Sequence, residues 1–116
     1  MNIENTIKLH CKKFIDNNDF ENAYIAISKL VNLMPGNAKV LATKASIAQL
    51  TNTVDLNEIL AMLEYTTFLE PDSVYYLLEL AYFNRDILNK PAKEYFDKAH
   101  KITQDNLKEI HFYEKT

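Results

Sequence analysis

The sequence is poor in the residues that turn a chain sharply or cross-link it. Its 116 residues include one glycine, Gly36, one cysteine, Cys11, and three prolines. Phosphate-binding loops and nucleophile elbows need glycine where the backbone bends or approaches a ligand, so this sequence predicts neither. A lone cysteine cannot form an intramolecular disulfide, and cysteine usage therefore gives no sign of an oxidising compartment.

Long apolar runs and an excess of basic residues are also missing. The most apolar stretch, residues 74–83, is interrupted by Glu79 and is too short to cross a bilayer. The first residues contain no apolar run of signal-peptide length. A net charge of −3 argues against a general nucleic-acid surface, which needs a basic excess. We therefore expect a cytoplasmic protein with no membrane and no nucleic-acid partner.

The composition is that of one globular domain, residues 1–116, with 47% hydrophobic and 25% charged residues. Apolar residues recur from Phe20 to Met34 at the i, i+3, i+4, i+7 spacing of an amphipathic helix. Asp19 stands before this helix as an N-cap, and Pro35 and Gly36 end it. The segment from Leu56 follows the same pattern, with Asp55 as its N-cap and Pro71 after its last turn.

Two segments of the chain repeat each other. Asp19 and Pro35 are separated by 16 positions, as are Asp55 and Pro71, and the second pair follows the first by 36 residues. A period in the thirties is typical of stacked helix pairs. A looser third copy begins near Pro91. The helices that precede the three copies run roughly over residues 3–15, 38–50 and 74–85. The sequence thus predicts an all-α chain of three helix pairs, at about 3–36, 37–72 and 73–105, with a short separate C-terminal helix at about 106–114.

Small residues recur in the first helix of each pair, at Cys11, Ala45 and Ala81. With these residues the chain resembles the tetratricopeptide repeat (TPR) family, and the resemblance extends to the second-helix alanines Ala23 and Ala92 and to the closing prolines Pro35 and Pro71. It covers nearly the whole chain. It implies antiparallel helix pairs stacked as a short α-solenoid, and a protein-binding function. The family's first-helix aromatic is replaced here by Ile7, Leu41 and Leu77, and Ile59 stands where alanine is usual. An irregular helical bundle remains the alternative.

The resemblance also places the first helices along a concave groove. The residues opposite the packing stripe would then line it: Lys8, Lys12, Ile15, Lys39, Thr43, Ser46, Gln49, Tyr75, Leu78, Glu79 and Tyr82. Such a groove would be basic at its N-terminal end and aromatic at its C-terminal end, and tyrosines suit contact surfaces. The alternative interpretation is that the lysines are merely solvated and the tyrosines merely half-packed.

Some members of the family grip the C-terminal carboxylate of heat-shock chaperones with Lys, Asn, Asn, Lys and Arg on successive first helices. Lys8 matches the first element, whereas Lys12 and Thr43 replace the asparagines. Tyr75 and Glu79 stand where the last Lys and Arg are expected, and Glu79 would repel a carboxylate. The chain therefore does not resemble a chaperone-clamp adaptor.

No constellation for catalysis, metal binding or a cofactor is apparent. His10 and Cys11 are adjacent, so on a helix their side chains point in different directions. Asp97 and His100 could share a metal at i, i+3, but further ligands are missing. Cys11 lies on the packing stripe, which indicates a buried structural thiol. We expect no enzyme activity, no metal and no cofactor.

The favoured function is a protein–protein interaction module, an adaptor or scaffold that binds a partner peptide or helix in the groove. The alternative is a self-assembling structural or regulatory subunit, with a homodimer formed through an apolar C-terminal end. That end would comprise Phe83, Ile87, Leu88, Ile110, Phe112 and Tyr113. For the core, the pattern predicts burial of Phe14, Ala23, Ile27, Ala45, Ile59, Leu63, Ala81 and Phe96.

Overall fold

Every regular element described for the chain is helical. The computed structural model describes the backbone of residues 2–114 and the side chains of residues 2–108. The elements are α1 Ile3–Asp16, α2 Phe20–Leu33, α3 Ala38–Thr51, α4 Leu56–Leu69, α5 Val74–Tyr82, a π-helical turn Phe83–Ile87, and α6 Lys93–Glu114. None of these helices is both long enough and apolar enough to cross a membrane. The predicted all-α class is confirmed.

The helices form two compact units, divided between residues 69 and 70. In the N-terminal unit α1 packs on α2, α2 on α3, and α3 on α4. Connections of three or four residues join these helices, so consecutive helices run antiparallel. In the C-terminal unit α5 packs on α6. The assignment of the whole chain to one domain stays a prediction.

Polar side chains set the starts of the helices. At five of them a side-chain oxygen accepts a hydrogen bond from a backbone N–H of the first turn, at Asn2, Asp19, Asn37, Asp55 and Ser73. Such caps satisfy amide groups that have no partner within the helix, at about 1 kcal/mol each. The sequence predicted two of the five, Asp19 and Asp55, and both are confirmed.

Three asparagines supply the left-handed turns within residues 2–114. Asn18, Asn52 and Asn89 have φ values of 56°, 58° and 53°. Asn18 and Asn52 follow the last turns of α1 and α3, and Asn89 follows the π-helical turn after α5. Asparagine tolerates this region better than most residues that carry a side chain. The first helix of each pair therefore ends in the same way.

The predicted core is largely confirmed. Ala23, Ala45 and Ala81 are fully buried, and Ile27, Ile59 and Leu63 are at most 4% exposed. Phe14 and Phe96 are only half-buried, so the prediction that they are buried is wrong. Phe14 packs at the edge of the α1–α2 core. The ring of Phe96 contacts Tyr82 and Arg85, which are both exposed themselves.

The predicted separate C-terminal helix at 106–114 is wrong. Residues 93–114 form one continuous helix, α6, and Thr103 donates its hydroxyl to the Ala99 carbonyl within it. The fifth helix is also shorter than its pattern indicated, because a π-helical turn replaces its last turn. In that turn the Asn84 amide donates to the Leu80 carbonyl, and Phe83 is buried. The side chains of Ile110, Phe112 and Tyr113 lie outside the described ones.

The thiol of Cys11 belongs to the α1–α2 core, together with Ala23, Ile27 and Leu30. It is 5% exposed, and its Sγ lies 3.8 Å from the Ala23 carbonyl oxygen on the facing helix. Burial raises the pKa of the Cys11 thiol above its ordinary value. The group is therefore neutral at physiological pH, which agrees with the structural role that the sequence indicated.

Replacing Ala45 with leucine should destabilise the protein by roughly 1–3 kcal/mol, because the added side chain has no space at a fully buried position. Chemical denaturation of the variant and the wild type measures the difference. Ala61→Leu, at an exposed position of α4, is the matched control and should change stability little. If the Ala45→Leu variant were as stable as the control, Ala45 would not lie at a close contact between helices.

Cys11 should react with a disulfide reagent at pH 8 at least about tenfold more slowly in the folded protein than in denaturant. Two causes act together: the raised pKa leaves less thiolate at that pH, and the sulfur is shielded. Release of the coloured thiolate from the reagent gives both rates. Equal rates in the two states would show that the thiol is accessible.

Candidate functional site

A half-open cavity of about 390 Å³ lies between α1 and α3 in the N-terminal unit. Lys8, Lys12 and Ile15 of α1 line one side, because positions four and three residues apart share a helix face. Lys39 and Thr43, also four apart, line the other side from α3. We call this feature the lysine-rimmed cavity. The structure thus brings together five of the residues that the groove prediction named.

The floor of the lysine-rimmed cavity is apolar. It is formed by Cys11 of α1, Ile27 and Leu30 of α2, and Val40 of α3, which are all buried. Asn37 completes the lining, and its side-chain oxygen caps α3 by accepting from the Val40 N–H at 3.0 Å. The floor residues belong to the packed core, so helix packing holds the floor in place.

The charge of the cavity comes from its three lysines, since none of its ten lining residues is acidic. Lys12 lies 3.6 Å from the Asp16 carboxylate, and both side chains are more than 60% exposed. An ion pair so exposed to water stabilises little and leaves most of the lysine charge available. The rim is therefore positive above an apolar floor.

Ser46 and Gln49, which the groove prediction also named, lie outside the lining of this cavity. Both are exposed further along α3, and both bond to their own helix. The Ser46 hydroxyl donates to the Ala42 carbonyl at 3.1 Å, and the Gln49 amide donates to the Ala45 carbonyl at 3.4 Å. Their participation in a binding surface stays a prediction.

The aromatic residues that the groove prediction named form a strip on α5 in the C-terminal unit. Tyr75 and Tyr82 are 65% and 48% exposed, and Glu79 lies between them in sequence. Hydrogen bonding to the Glu79 carboxylate, together with its negative charge, raises the pKa of the Tyr75 hydroxyl. One Glu79 oxygen is shielded from water and has no hydrogen-bond partner among the described residues.

Arg85 and Phe96 extend this strip, and sequence reasoning did not assign them to it. The Arg85 guanidinium lies 5.1 Å from the ring centre of Tyr82 and 5.2 Å from that of Phe96. It also donates two hydrogen bonds to Asp86, at 2.7 and 3.2 Å. The two rings meet edge to face at 5.3 Å. Arg85 lies in the π-helical turn, and no periodic pattern in the sequence predicts that turn.

The groups considered for chemistry remain dispersed. Within residues 2–108, no three His, Cys, Asp or Glu side chains lie close enough to hold a metal ion. The Asp97 carboxylate, which sequence spacing paired with His100, is held by Lys93 one helical turn away. The expectation that the protein has no catalytic activity, metal or cofactor stays a prediction.

Comparison with known proteins gives a match of fold. No protein-family model matches the sequence, and no curated protein sequence matches it. Among solved structures, the chain is similar to the MamA RS-1 ArsTM double mutant, with a TM-score of 0.74 and 15% sequence identity. The match covers 90% of this chain and 58% of the MamA chain, so this chain spans less than two thirds of its neighbour's length. MamA is a TPR-containing protein, and the likeness therefore supports a TPR-like helical-repeat fold.

Proposed function

We propose that this protein is an interaction module whose lysine-rimmed cavity binds a segment of a partner protein. The carrying observation is the cavity itself, which lies between two helices of a packed unit and offers buried apolar groups at its floor. Its volume of about 390 Å³ falls in the range of ligand-binding clefts, about 300–1,000 Å³. Binding of this kind requires no catalytic group, metal or cofactor.

The fold supports the proposal in a general way. Stacked helical repeats commonly present extended surfaces for other proteins, and the structural neighbour is a TPR-containing protein. The lining residues are of the kinds that a peptide can use. Lys8 and Lys12 supply charge, Thr43 supplies a hydroxyl group at the rim, and Ile27 and Leu30 supply apolar surface.

Thr43→Trp should abolish partner binding, because an indole at this position fills the cavity between α1 and α3. The full chain serves as bait in extracts of the native host, and mass spectrometry identifies what the wild type retains and the variant loses. Thr67→Trp on α4 is the matched control, since Thr43 and Thr67 are both half-buried and both donate their hydroxyl to the carbonyl four residues earlier, and Thr67 lies outside the cavity lining. A partner retained equally by wild type and both variants would contradict binding at the cavity.

Self-assembly through α6 is a second candidate function, and one observation favours it. The side chains of residues 103–108 are all exposed, and Leu107 is 51% exposed on a helix that continues to Glu114. An exposed apolar side chain on a long helix can serve as a contact point for a second copy, and most soluble oligomers are two-fold homodimers. The proposed assembly is a homodimer through this segment.

Leu107→Glu should convert such a dimer to monomer, because the carboxylate would lose its hydration in the contact. Light scattering at tens of micromolar protein gives the mass directly. Asn106→Asp introduces the same charge at an exposed, already polar position about 100° around the helix from Leu107, and it should leave the dimer intact. A monomeric mass for the wild type would exclude this second function.

A further inference from the structure

The charge around the lysine-rimmed cavity is one-sided. Lys8, Lys12 and Lys39 are its only charged lining residues. α3, which supplies Lys39, contains no acidic residue at all. Asp16 approaches only Lys12, at an exposed position where water screens the pair. A ligand that enters the cavity therefore meets a positive rim, and negative groups on that ligand gain from it.

The floor of the cavity favours apolar groups on the ligand, whereas the rim favours negative ones. Ile27, Leu30 and Val40 are between 2% and 8% exposed and present hydrocarbon to the cavity. An apolar side chain placed against them leaves water and gains about 25 cal/mol for each Å² of apolar surface buried. A ligand made only of charged groups would leave this floor uncovered. The ligand that matches both parts is amphipathic.

We propose that the segment bound in the lysine-rimmed cavity is acidic and amphipathic. One or two apolar side chains enter the cavity, and flanking Asp or Glu carboxylates pair with Lys8, Lys12 and Lys39. This inference rests on the proposed function and adds the chemistry of the partner to it.

The acidic groups are side chains within the segment, and a chain terminus is not required. Lys8 and Lys12 are one turn apart on α1, about 6 Å along the helix, and Lys39 stands on the other wall of the cavity. A single terminal carboxylate can pair closely with only part of this set. Several carboxylates along a segment can meet all three lysines and also steer the segment toward the cavity.

Synthetic peptides test the proposal with the full chain. The probe is a fluorescent peptide, capped at both termini, in which a pair of leucines is flanked by glutamates. In one comparison peptide glutamines replace the glutamates, and in another serines replace the leucines. Fluorescence anisotropy should show that each replacement weakens binding by about tenfold or more, and that added salt weakens only the glutamate peptides.

A triple variant assigns the charge to the cavity. Lys8→Gln, Lys12→Gln and Lys39→Gln together should weaken binding of the glutamate–leucine peptide by about tenfold or more and leave the glutamine–leucine peptide unaffected. The matched control, Lys13→Gln, Lys29→Gln and Lys98→Gln, changes the net charge equally at exposed lysines outside the cavity lining. It should retain binding within about twofold.

Four results would overturn the inference. Equal binding of the glutamine–leucine and glutamate–leucine peptides would remove the acidic requirement and leave the proposed function standing. Equal binding of the glutamate–serine peptide, or of inorganic polyphosphate, would remove the apolar anchor. Binding of the same glutamate–leucine peptide only when its C-terminus is left uncapped would contradict recognition of internal side chains. If no peptide of any charge binds and Thr43→Trp also retains the captured partner, the inference and the proposed function both fail.

Discussion

Neighbouring helices of the N-terminal unit can approach each other closely because small side chains occupy their crossing points. Cys11 of α1 meets the backbone of α2 at Ala23, where Sγ lies 3.8 Å from the carbonyl oxygen. Ala45 of α3 is fully buried. α2 packs against both α1 and α3, so its side chains Ile27 and Leu30 reach the space that remains between those two helices. The lysine-rimmed cavity is thus a product of helix packing, and larger residues at the crossing points would alter its walls.

The helices could largely be predicted because each depends on local signals. Caps such as Asp19 and Asp55, the apolar period, and the turn at Pro35 and Gly36 placed four helices to within a residue or two. The two errors arose where the local signal was ambiguous. Around Thr103 the sequence contains polar residues that often cap helices, yet no glycine or proline interrupts α6 there. The π-helical turn contains Asn84, a buried polar residue whose side-chain amide donates to the Leu80 carbonyl, and hydrophobic periodicity does not indicate such a turn.

The residues at the rim of the cavity could be predicted from the sequence, whereas the residues at its floor could not. Helical spacing alone puts Lys8 and Lys12 on one face, and Lys39 and Thr43 on another, so the resemblance to a known repeat family could orient both faces toward a groove. The floor depends on the gap between α1 and α3, which packing sets in three dimensions. Only the structure shows that Ile27 and Leu30 line the bottom of this gap, or that Ser46 lies outside the cavity lining. Arg85 could not be assigned to the strip on α5 without knowledge of the turn that carries it.

The left-handed asparagines have a consequence for the unfolded chain. Asn18, Asn52 and Asn89 each adopt a conformation that glycine adopts most readily, yet the sequence has only one glycine, at another position. A glycine at each turn would enlarge the set of conformations open to the unfolded ensemble, and folding would lose more entropy there. Compared with glycine, asparagine is slightly strained in the native turn but allows the unfolded chain fewer conformations. Part of the free energy that stabilises these connections therefore comes from the lower conformational entropy of the unfolded chain. It does not come from contacts in the folded protein.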